Sequence, residues 1–389
     1  MKQEEIEVKI EKIVPNGYGI AFTEGMTVFV ALAAQGDKLR IRIREKKGKI
    51  AFAEIVEVIE SSVDRVTPPC EYFGKCGGCD FQQMSYQAQL NAKIGIIEDC
   101  LKRIGKINYD CEIKIIGSPQ EFGYRSRAQW HADTRNQRIG YFRRFSNQII
   151  DVENCPILDE KLQETLSSLR QNLNWSEFWA EFAEIETATN GEKVSIYSNE
   201  IIEPTEKISF EILGNRYYYN AESFFQGNLS LIETLIKTAT DDVQGENALD
   251  LYCGVGLFSL PLARKFGKVI GIEANEKAID FAIENAELAR LLNVEFYSEN
   301  VGEWLTENST QTVDFILLDP PRSGTEKTTI EQILKLNPKQ ISYVSCDPAT
   351  LARDLRILTD VYSIESITAL DLFPQTHHVE TVVRLNRKS

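Results

Sequence analysis

The sequence predicts a multidomain chain: a small N-terminal β-barrel, a middle α+β domain, and a C-terminal α/β domain built on a doubly wound, mostly parallel sheet. Three observations lead there. A length of 389 residues exceeds what one core usually supports. The first 58 residues alternate polar and apolar side chains between closely spaced turn signals, the pattern of short half-buried strands. From Asn228 onward helices alternate with strongly apolar strands, the order of a β-α-β fold whose ligands bind beyond the carboxyl ends of its strands. The boundaries this suggests are 1–58 for the barrel, 59–110 for a cysteine segment and helix, 111–222 for the middle domain and 223–389 for the C-terminal domain.

In the barrel, Ile6–Ile10, Thr27–Val30, Lys38–Ile43 and Ile50–Val58 read as strands, with turns at Asn16-Gly17, Glu24-Gly25, Gln35-Gly36 and Lys47-Gly48. Leu39 to Arg44 sets apolar side chains on one face and Arg40, Arg42 and Arg44 on the other, which is either a solvated strand face or a nucleic-acid surface. A Pro-rich link, Thr67-Pro68-Pro69, opens the cysteine segment. Tyr86, Leu90, Ile94, Ile97, Leu101 and Ile104 then recur every three or four residues, as on one buried face of a helix. From Cys111 to about Ala221 short strands dominate, with one helix near Leu158–Leu173. The C-terminal strands are expected at Ala248–Leu251, Lys268–Ile272, Asn293–Tyr297, Val313–Leu318, Gln340–Val344 and Val361–Leu370.

An apolar fraction of 43% is ample for packed cores, whereas a formal charge of −15 weighs against phosphate binding by the chain as a whole. Two local islands run the other way. Seven basic residues and two acids lie between Asp37 and Lys49, and six arginines and one acid between Tyr124 and Arg144. In the second island Tyr124, Trp130, Tyr141, Phe142 and Phe145 are interleaved with Arg125, Arg127, Arg135, Arg138, Arg143 and Arg144. Such a mixture can stack unpaired bases while holding phosphates, although several of these rings are expected in the core. The N-terminus has no signal-peptide core and no window approaches a membrane span, so a cytoplasmic protein without membrane contact is expected. In a reducing compartment the eight cysteines are expected to hold metal or do chemistry rather than pair.

The chemistry is concentrated in three places. Ser345-Cys346-Asp347-Pro348 follows the apolar run Ile341–Val344 and precedes Glu380 of His377-His378-Val379-Glu380. A strand-end cysteine with a later carboxylate can add a thiolate to an electron-poor ring and then remove a proton. Uracil needs both steps, because its C5 is too weak a nucleophile to take a methyl from a sulfonium until attack at C6 makes an enolate. Cys346 is the expected nucleophile, and Glu380 the base if apolar neighbours raise its pKa. Upstream, Asp250-Leu251-Tyr252-Cys253-Gly254-Val255-Gly256 is a glycine-rich strand-to-helix turn that fits any nucleotide fold. Two additions favour S-adenosylmethionine over NAD: Glu273, closing the next strand with an acid for ribose hydroxyls, and Asp319-Pro320-Pro321-Arg322 at the end of the fourth. Third, Cys70, Cys76 and Cys79, with Cys155 before Pro156, form a four-thiolate set. Its spacing is unlike a paired zinc ribbon and suits an iron–sulfur cluster, with zinc the alternative. Cys100 and Cys111 lack partners at useful spacing, and Cys253 is expected to be a packing residue.

Taken together these residues resemble the RNA uracil-C5 methyltransferase family over nearly the whole chain. Asn16-Gly17-Tyr18-Gly19 and the alternating strands are similar to a TRAM domain, an OB-like barrel that binds RNA, and the C-terminal domain to a Rossmann-like methyltransferase. The four cysteines match the family's branch that carries a [4Fe-4S] cluster. The resemblance implies that Gln226, Tyr252, Gly254, Glu273 and Asp319 hold S-adenosylmethionine, that Phe224 meets the target base, and that Cys346 and Glu380 are nucleophile and base. Leu257 departs from an expected asparagine, and Glu299 or Asn300 stands where an aspartate often lies. The expectation is a monomer that methylates C5 of a uridine in RNA, 23S ribosomal RNA in preference to tRNA, with Arg125 and Arg127 contributing to RNA binding. Two rivals are an amine or carboxylate methyltransferase, which would leave Cys346 and Glu380 idle, and a non-catalytic iron–sulfur RNA-binding protein.

Overall fold

The computed structural model describes residues 5–23, 25–200 and 205–388, so Glu24 of the expected second turn lies outside the described residues. The first sheet comprises β1 (Glu5–Lys9), β2 (Lys12–Val14), β3 (Tyr18–Thr23), β4 (Met26–Val30), β5 (Lys38–Lys47) and β6 (Ile50–Glu60), in the order β1-β5-β6-β4-β3-β2. The ends of that order, β1 and β2, are consecutive pieces of one bent strand. The Ile10 amide still donates to the Asp37 carbonyl while the Glu11 amide already donates to Ile20, both at 2.9 Å. The sheet therefore closes into a barrel filled by Val8, Val28, Val30, Leu39 and Ile41.

Helix α1 (Tyr86–Cys100) ends in a π-type turn over Leu101–Gly105, which leaves Ile104 exposed rather than on the buried face. That face is not purely apolar, since Gln89 and Lys93 are buried among Leu90, Ile96 and Ile97. Lys93 Nζ donates to the Asp371 carboxylate at 2.5 Å and to the Phe373 carbonyl at 3.0 Å, in a pair wholly shielded from solvent.

A short strand, β7 (Lys114–Ile116), precedes an antiparallel sheet of β8 (Arg127–Asp133), β9 (Arg138–Phe142), β10 (Ile149–Asp151), β11 (Phe182–Thr189) and β12 (Val194–Tyr197). Its order is β10-β9-β8-β11-β12. Leu162 and Leu166 of α2 (Glu160–Asn172) pack with Trp130 and Ile185 of this sheet to make its core. The hairpin of β13 (Ile208–Ile212) and β14 (Asn215–Tyr219) buries Ile208, Ile212, Tyr217 and Tyr219 against the C-terminal core.

The C-terminal sheet contains β15 (Gly245–Leu251), β16 (Phe266–Glu273), β17 (Val294–Ser298), β18 (Phe315–Leu318), β19 (Gln340–Ser345), β20 (Tyr362–Leu370) and β21 (Glu380–Arg387). Helices α3 (Ile232–Thr240), α4 (Ser259–Ala263), α5 (Glu276–Leu288), α6 (Val301–Glu307), α7 (Lys327–Leu336) and α8 (Pro348–Leu358) accompany it. The order β17-β16-β15-β18-β19-β21-β20-β7 reverses direction at β15, which opens a crevice at the carboxyl ends there. Two features depart from the sequence reading. Residues 114–116, expected in the middle domain, extend this sheet parallel to β20. The strand β21, not foreseen, runs antiparallel between β19 and β20. Ile96, Ile97 and Cys100 of α1 share the core of this domain with Ile341, Leu351 and Leu355. Among the described residues no helix is long and apolar enough to cross a membrane.

Burial pushes the Lys93 ammonium down in pKa against the pull of Asp371, so the charge survives on the strength of its partner. Lys93→Met should therefore cost about 3–5 kcal/mol in urea denaturation, and Lys93→Met with Asp371→Leu should recover most of it. A single-variant cost under about 1 kcal/mol would mean that the pair does not fasten α1 to this loop.

Candidate functional site

Two adjacent strands deliver the cysteine and the carboxylate. In the antiparallel ladder of β19 and β21, Val344 is opposite Val382 and Ser345 opposite Thr381. The next pair in that register is Cys346 with Glu380, at the open end of the ladder. The local sequence explains why Cys346 is free there. Asp347 is the N-cap of α8, its side chain accepting from the Thr350 amide at 2.7 Å, and Pro348 takes the first helical turn. Cys346 is the residue left between strand and cap. Glu380 is buried and its Oε1 has no hydrogen-bond partner. Burial and then the neighbouring Asp319 push its carboxyl well above the usual range, with Arg322 opposing. Burial and then the charge of Glu380 push the Cys346 thiol up to about 12, again against Arg322.

Across the crevice the turn after β15 is bent back on itself. The amides of Tyr252 and Cys253 both donate to the Ile272 carbonyl, at 2.8 and 3.0 Å, and Tyr252 takes a φ of 66°, a left-handed value costly for a residue with a Cβ. Gly254 and Gly256, at φ 52° and 84°, carry the turn onward where only glycine is unstrained. The Gly254 amide donates to Glu273 Oε2 at 3.3 Å. Beneath them Asp250 is buried with Oδ1 unpartnered, and burial first, then Glu273, push its carboxyl up to about 7. Asp319, following β18, is pushed up to about 8 by burial, Asp250 and Glu273. Burial and mutual repulsion thus raise the carboxyls of Asp250, Asp319 and Glu380 together, and a cationic ligand beside them would favour their ionised forms.

The loop carrying Phe224 and Gln226 packs through Phe225 in the same core as Val255 and Leu257, which lie in and just after the glycine-rich turn. Gln226 is buried, its carbonyl accepting from Ser126 Oγ at 3.4 Å, and Phe224 is exposed with the Arg127 guanidinium 5.9 Å from its ring centroid. Arg127 is turned inward: it donates to the carbonyls of Ser223 at 2.7 Å, Ala221 at 3.0 Å and Asn220 at 3.3 Å. Its charge is spent on building this loop. Asn300 is likewise engaged, capping α6 through the amides of Gly302 and Glu303, and Leu257 is buried.

Cys70, Cys76, Cys79 and Cys155 line one cavity, together with Tyr72, Phe73, Arg125, Tyr141 and Val152. Burial pushes all four thiols up, to about 11 for Cys155, while Arg125 draws Cys76, Cys79 and Cys155 back toward thiolate. Arg125 is thereby a wall of this cavity, with its Nε donating to the Arg127 carbonyl at 2.9 Å. Among the described residues no group of three or more His, Cys, Asp or Glu side chains is arranged to hold a metal ion.

The two basic islands differ in what they offer. On β5, Arg40 pairs with Glu57 and Glu7, Arg42 with Glu5 and Glu54, and Arg44 reaches Glu54 at 3.8 Å, so this face is neutralised by its neighbouring strands. Of the second island, Tyr124 and Trp130 are core, but Phe142, Arg143 and Phe145 are exposed along a groove between barrel and middle sheet. Tyr18 and Phe145 face each other across it, ring centroids 6.5 Å apart, and Arg44 and Arg144 lie over the Phe145 ring. The groove reaches Asp80 and His377.

Sequence reasoning gave no role to Asp80, Gln89, Lys93, Arg322, Asp371, Gln375 or His377, all of which touch the active-site loops. A signal existed for two of them: Gln89 and Lys93 occupy the buried face of an amphipathic helix.

The family model described as tRNA (Uracil-5-)-methyltransferase matches residues 157–388, and the TRAM domain matches residues 1–56. An uncharacterized RNA methyltransferase of Thermosynechococcus vestitus is 32% identical over 98% of this chain and 97% of its own. Another, of Aquifex aeolicus, is 30% identical with 100% of both chains covered. Pyrococcus abyssi tRNA (uracil-54, C5)-methyltransferase, solved in complex with S-adenosyl-L-homocysteine, superposes with a TM-score of 0.76 at 27% identity, over 98% of this chain and 100% of that one. The chain belongs to the S-adenosylmethionine-dependent RNA uracil-5 methyltransferase family and carries a TRAM domain over residues 1–56.

Proposed function

We propose that the chain methylates C5 of a uridine in RNA through a covalent adduct to Cys346, with Glu380 as the base. The observation that supports this is the ladder register, which ends with Ser345 opposite Thr381, one step from Cys346 and Glu380, together with the charge of Glu380 felt at the Cys346 thiol. Cys346 Sγ adds to C6 and the ring electrons move to the C4 oxygen as an enolate. S-adenosylmethionine, held by Gln226, Tyr252, Gly254, Glu273 and Asp319, supplies the methyl that C5 takes up. Glu380 then removes the C5 proton, the C5–C6 double bond re-forms and the Cys346 thiolate leaves. The positive sulfonium beside the acids favours their ionised forms, so cofactor binding would draw protons off the groups that burial keeps neutral. Phe224, exposed beside the crevice, offers a stacking face for the extruded base.

We read the RNA as 23S ribosomal RNA, on the four-cysteine set. A second reading, tRNA, is favoured by the Pyrococcus abyssi enzyme, whose printed activity is on uracil-54 of tRNA. Mapping 5-methyluridine in both RNAs from a strain lacking this chain separates the two. For the cavity we propose a [4Fe-4S] cluster held by Cys70, Cys76, Cys79 and Cys155. Four thiols lining one cavity, with Arg125 favouring the ionised form of three of them, support a group held by several thiolates. When bound, the cluster would cross-link the segment of Cys70–Cys79 to that of Cys155.

Five outcomes test these assignments. RNA carrying 5-fluorouridine at the target should form a denaturation-resistant complex with the protein, absent in Cys346→Ala, whose turnover should fall by roughly 10⁴-fold or more. Glu380→Gln should trap methylated RNA on the protein. Because the thiol is held protonated, adduct formation should quicken from about pH 6 to about pH 9, and a flat profile would contradict a thiolate nucleophile. Anaerobically purified protein should contain about four irons per chain, and stoichiometric zinc would overturn the cluster. Finally, Phe145→Ala with Arg143→Ala should weaken RNA binding by about 1–3 kcal/mol. Joint loss of Arg40, Arg42 and Arg44, already neutralised by glutamates, should change affinity and its salt slope far less; the reverse ranking would place RNA on the barrel's β5 face.

A further inference from the structure

The turn that leads into Glu380 is fastened from outside at four of its residues, Phe373, Pro374, Gln375 and His377, and these fastenings come from one stretch of chain, residues 80–124. Lys93 holds the carbonyl of Phe373 at 3.0 Å, and the Tyr124 hydroxyl holds that of Pro374 at 2.9 Å. Gln375, buried and in a left-handed conformation at φ 69°, exchanges two 3.0 Å hydrogen bonds with the Gln89 amide, while its carbonyl accepts from the amides of Asp80 and Phe81 at 2.9 and 3.0 Å. His377 bonds to Asp80 twice, through its amide at 3.4 Å and through Nδ1 at 2.6 Å. The other Asp80 oxygen accepts from Arg144 at 2.9 Å. The barrel closes over the pair at Gly17, where a Cβ would come within 3.2 Å of the Cβ atoms of both Asp80 and His377.

We propose that Asp80 is a positioning residue for the proton-removal step: through His377 it fixes the turn 373–379 and so aims the Glu380 carboxylate at the hydrogen on C5. This rests on the role of Glu380 given above. The physical reason lies in Glu380 itself. Its Oε1 has no hydrogen-bond partner, so no neighbour orients the carboxylate directly, and its aim is set by the backbone on either side. On one side that backbone is the β21 ladder; on the other it is His377, His378 and the buried Val379. Asp80 immediately follows Cys79, so the same residue ties the base to the cysteine cavity.

The test separates proton removal from the earlier steps. Target RNA is prepared with deuterium at C5 of the uridine, and turnover, the fraction of RNA held covalently and the KM for S-adenosylmethionine are measured for Asp80→Asn, His377→Ala and His377→Asn. Asp80→Asn should lower turnover by about 10- to 100-fold, the effect of a displacement near 1 Å at a reacting group. Methylated RNA should accumulate on the protein, a primary deuterium isotope effect should appear, and the KM should stay unchanged, in protein whose metal content and melting temperature match the wild type. His377→Asn, which keeps a donor toward Asp80, should retain more turnover than His377→Ala. If Asp80→Asn does not fold, His377→Ala carries the test, since it cuts the same link and leaves the Asp80–Arg144 pair. Slower turnover with no covalent accumulation and no isotope effect in the folded variants overturns the proposal. If Glu380→Gln itself traps no RNA, the reading of the base falls and this inference with it.

Discussion

Because β21 runs antiparallel between two strands that would otherwise be neighbours, the C-terminal sheet presents both a strand end and a strand start at the same edge. In a purely parallel sheet every residue at this edge would follow a strand, and a cysteine and a carboxylate could meet only through loops. The ladder instead fixes them by register, and a shift of one residue would turn every side chain of β21 to the other face. Val382 packs into one core of the sheet and Val383 and Leu385 into the other, so β21 is held on both faces. The position of Glu380 is therefore tied to the packing of the sheet's cores as well as to polar contacts.

Charge supplies the second constraint. Burial penalises the ionisation of Asp250, Asp319 and Glu380, and the first two are pushed up to about 7 and about 8. Raised carboxyls of this kind lessen the cost of burying charge in the empty fold, and a cation beside them would shift them toward their ionised forms. A sulfonium cofactor is such a cation. Arg322, exposed beside Cys346 and Glu380, offsets the rise of both and is the basic side chain that the sequence offered in Asp319-Pro320-Pro321-Arg322 without a stated part.

Much of this architecture was legible in the sequence because it rests on periodicity. The barrel strands, α1 and the parallel strands of the C-terminal domain each follow an alternation or a three-to-four repeat. The return strand was not legible: Glu380–Arg387 reads as an ordinary apolar tail, and nothing local says that it turns back between two earlier strands. The arginines mislead for a similar reason. Arg40 and Arg42 look free in sequence, but their counterions, Glu5, Glu7, Glu54 and Glu57, come from β1 and β6 and become neighbours only in the folded sheet. Arg125 and Arg127 carry no mark that one faces a cavity of thiols and the other a loop of carbonyls.

The polar residues on the buried face of α1 match what the base role proposed for Glu380 requires. A carboxylate held by strong donors would have a lowered pKa and little appetite for a proton, so its orientation has to come from the main chain. The turn before it cannot join the ladder without ceasing to be a turn, and its buried amides and carbonyls must still be satisfied. Apolar packing cannot do this. Only side chains with donors and acceptors, brought in from another element, satisfy the turn and hold it still, which is what Lys93, Gln89, Tyr124 and Asp80 provide. A helix that must pack into a core and also serve such a turn will interrupt its apolar face at those places, and α1 does so at Gln89 and Lys93, one turn apart.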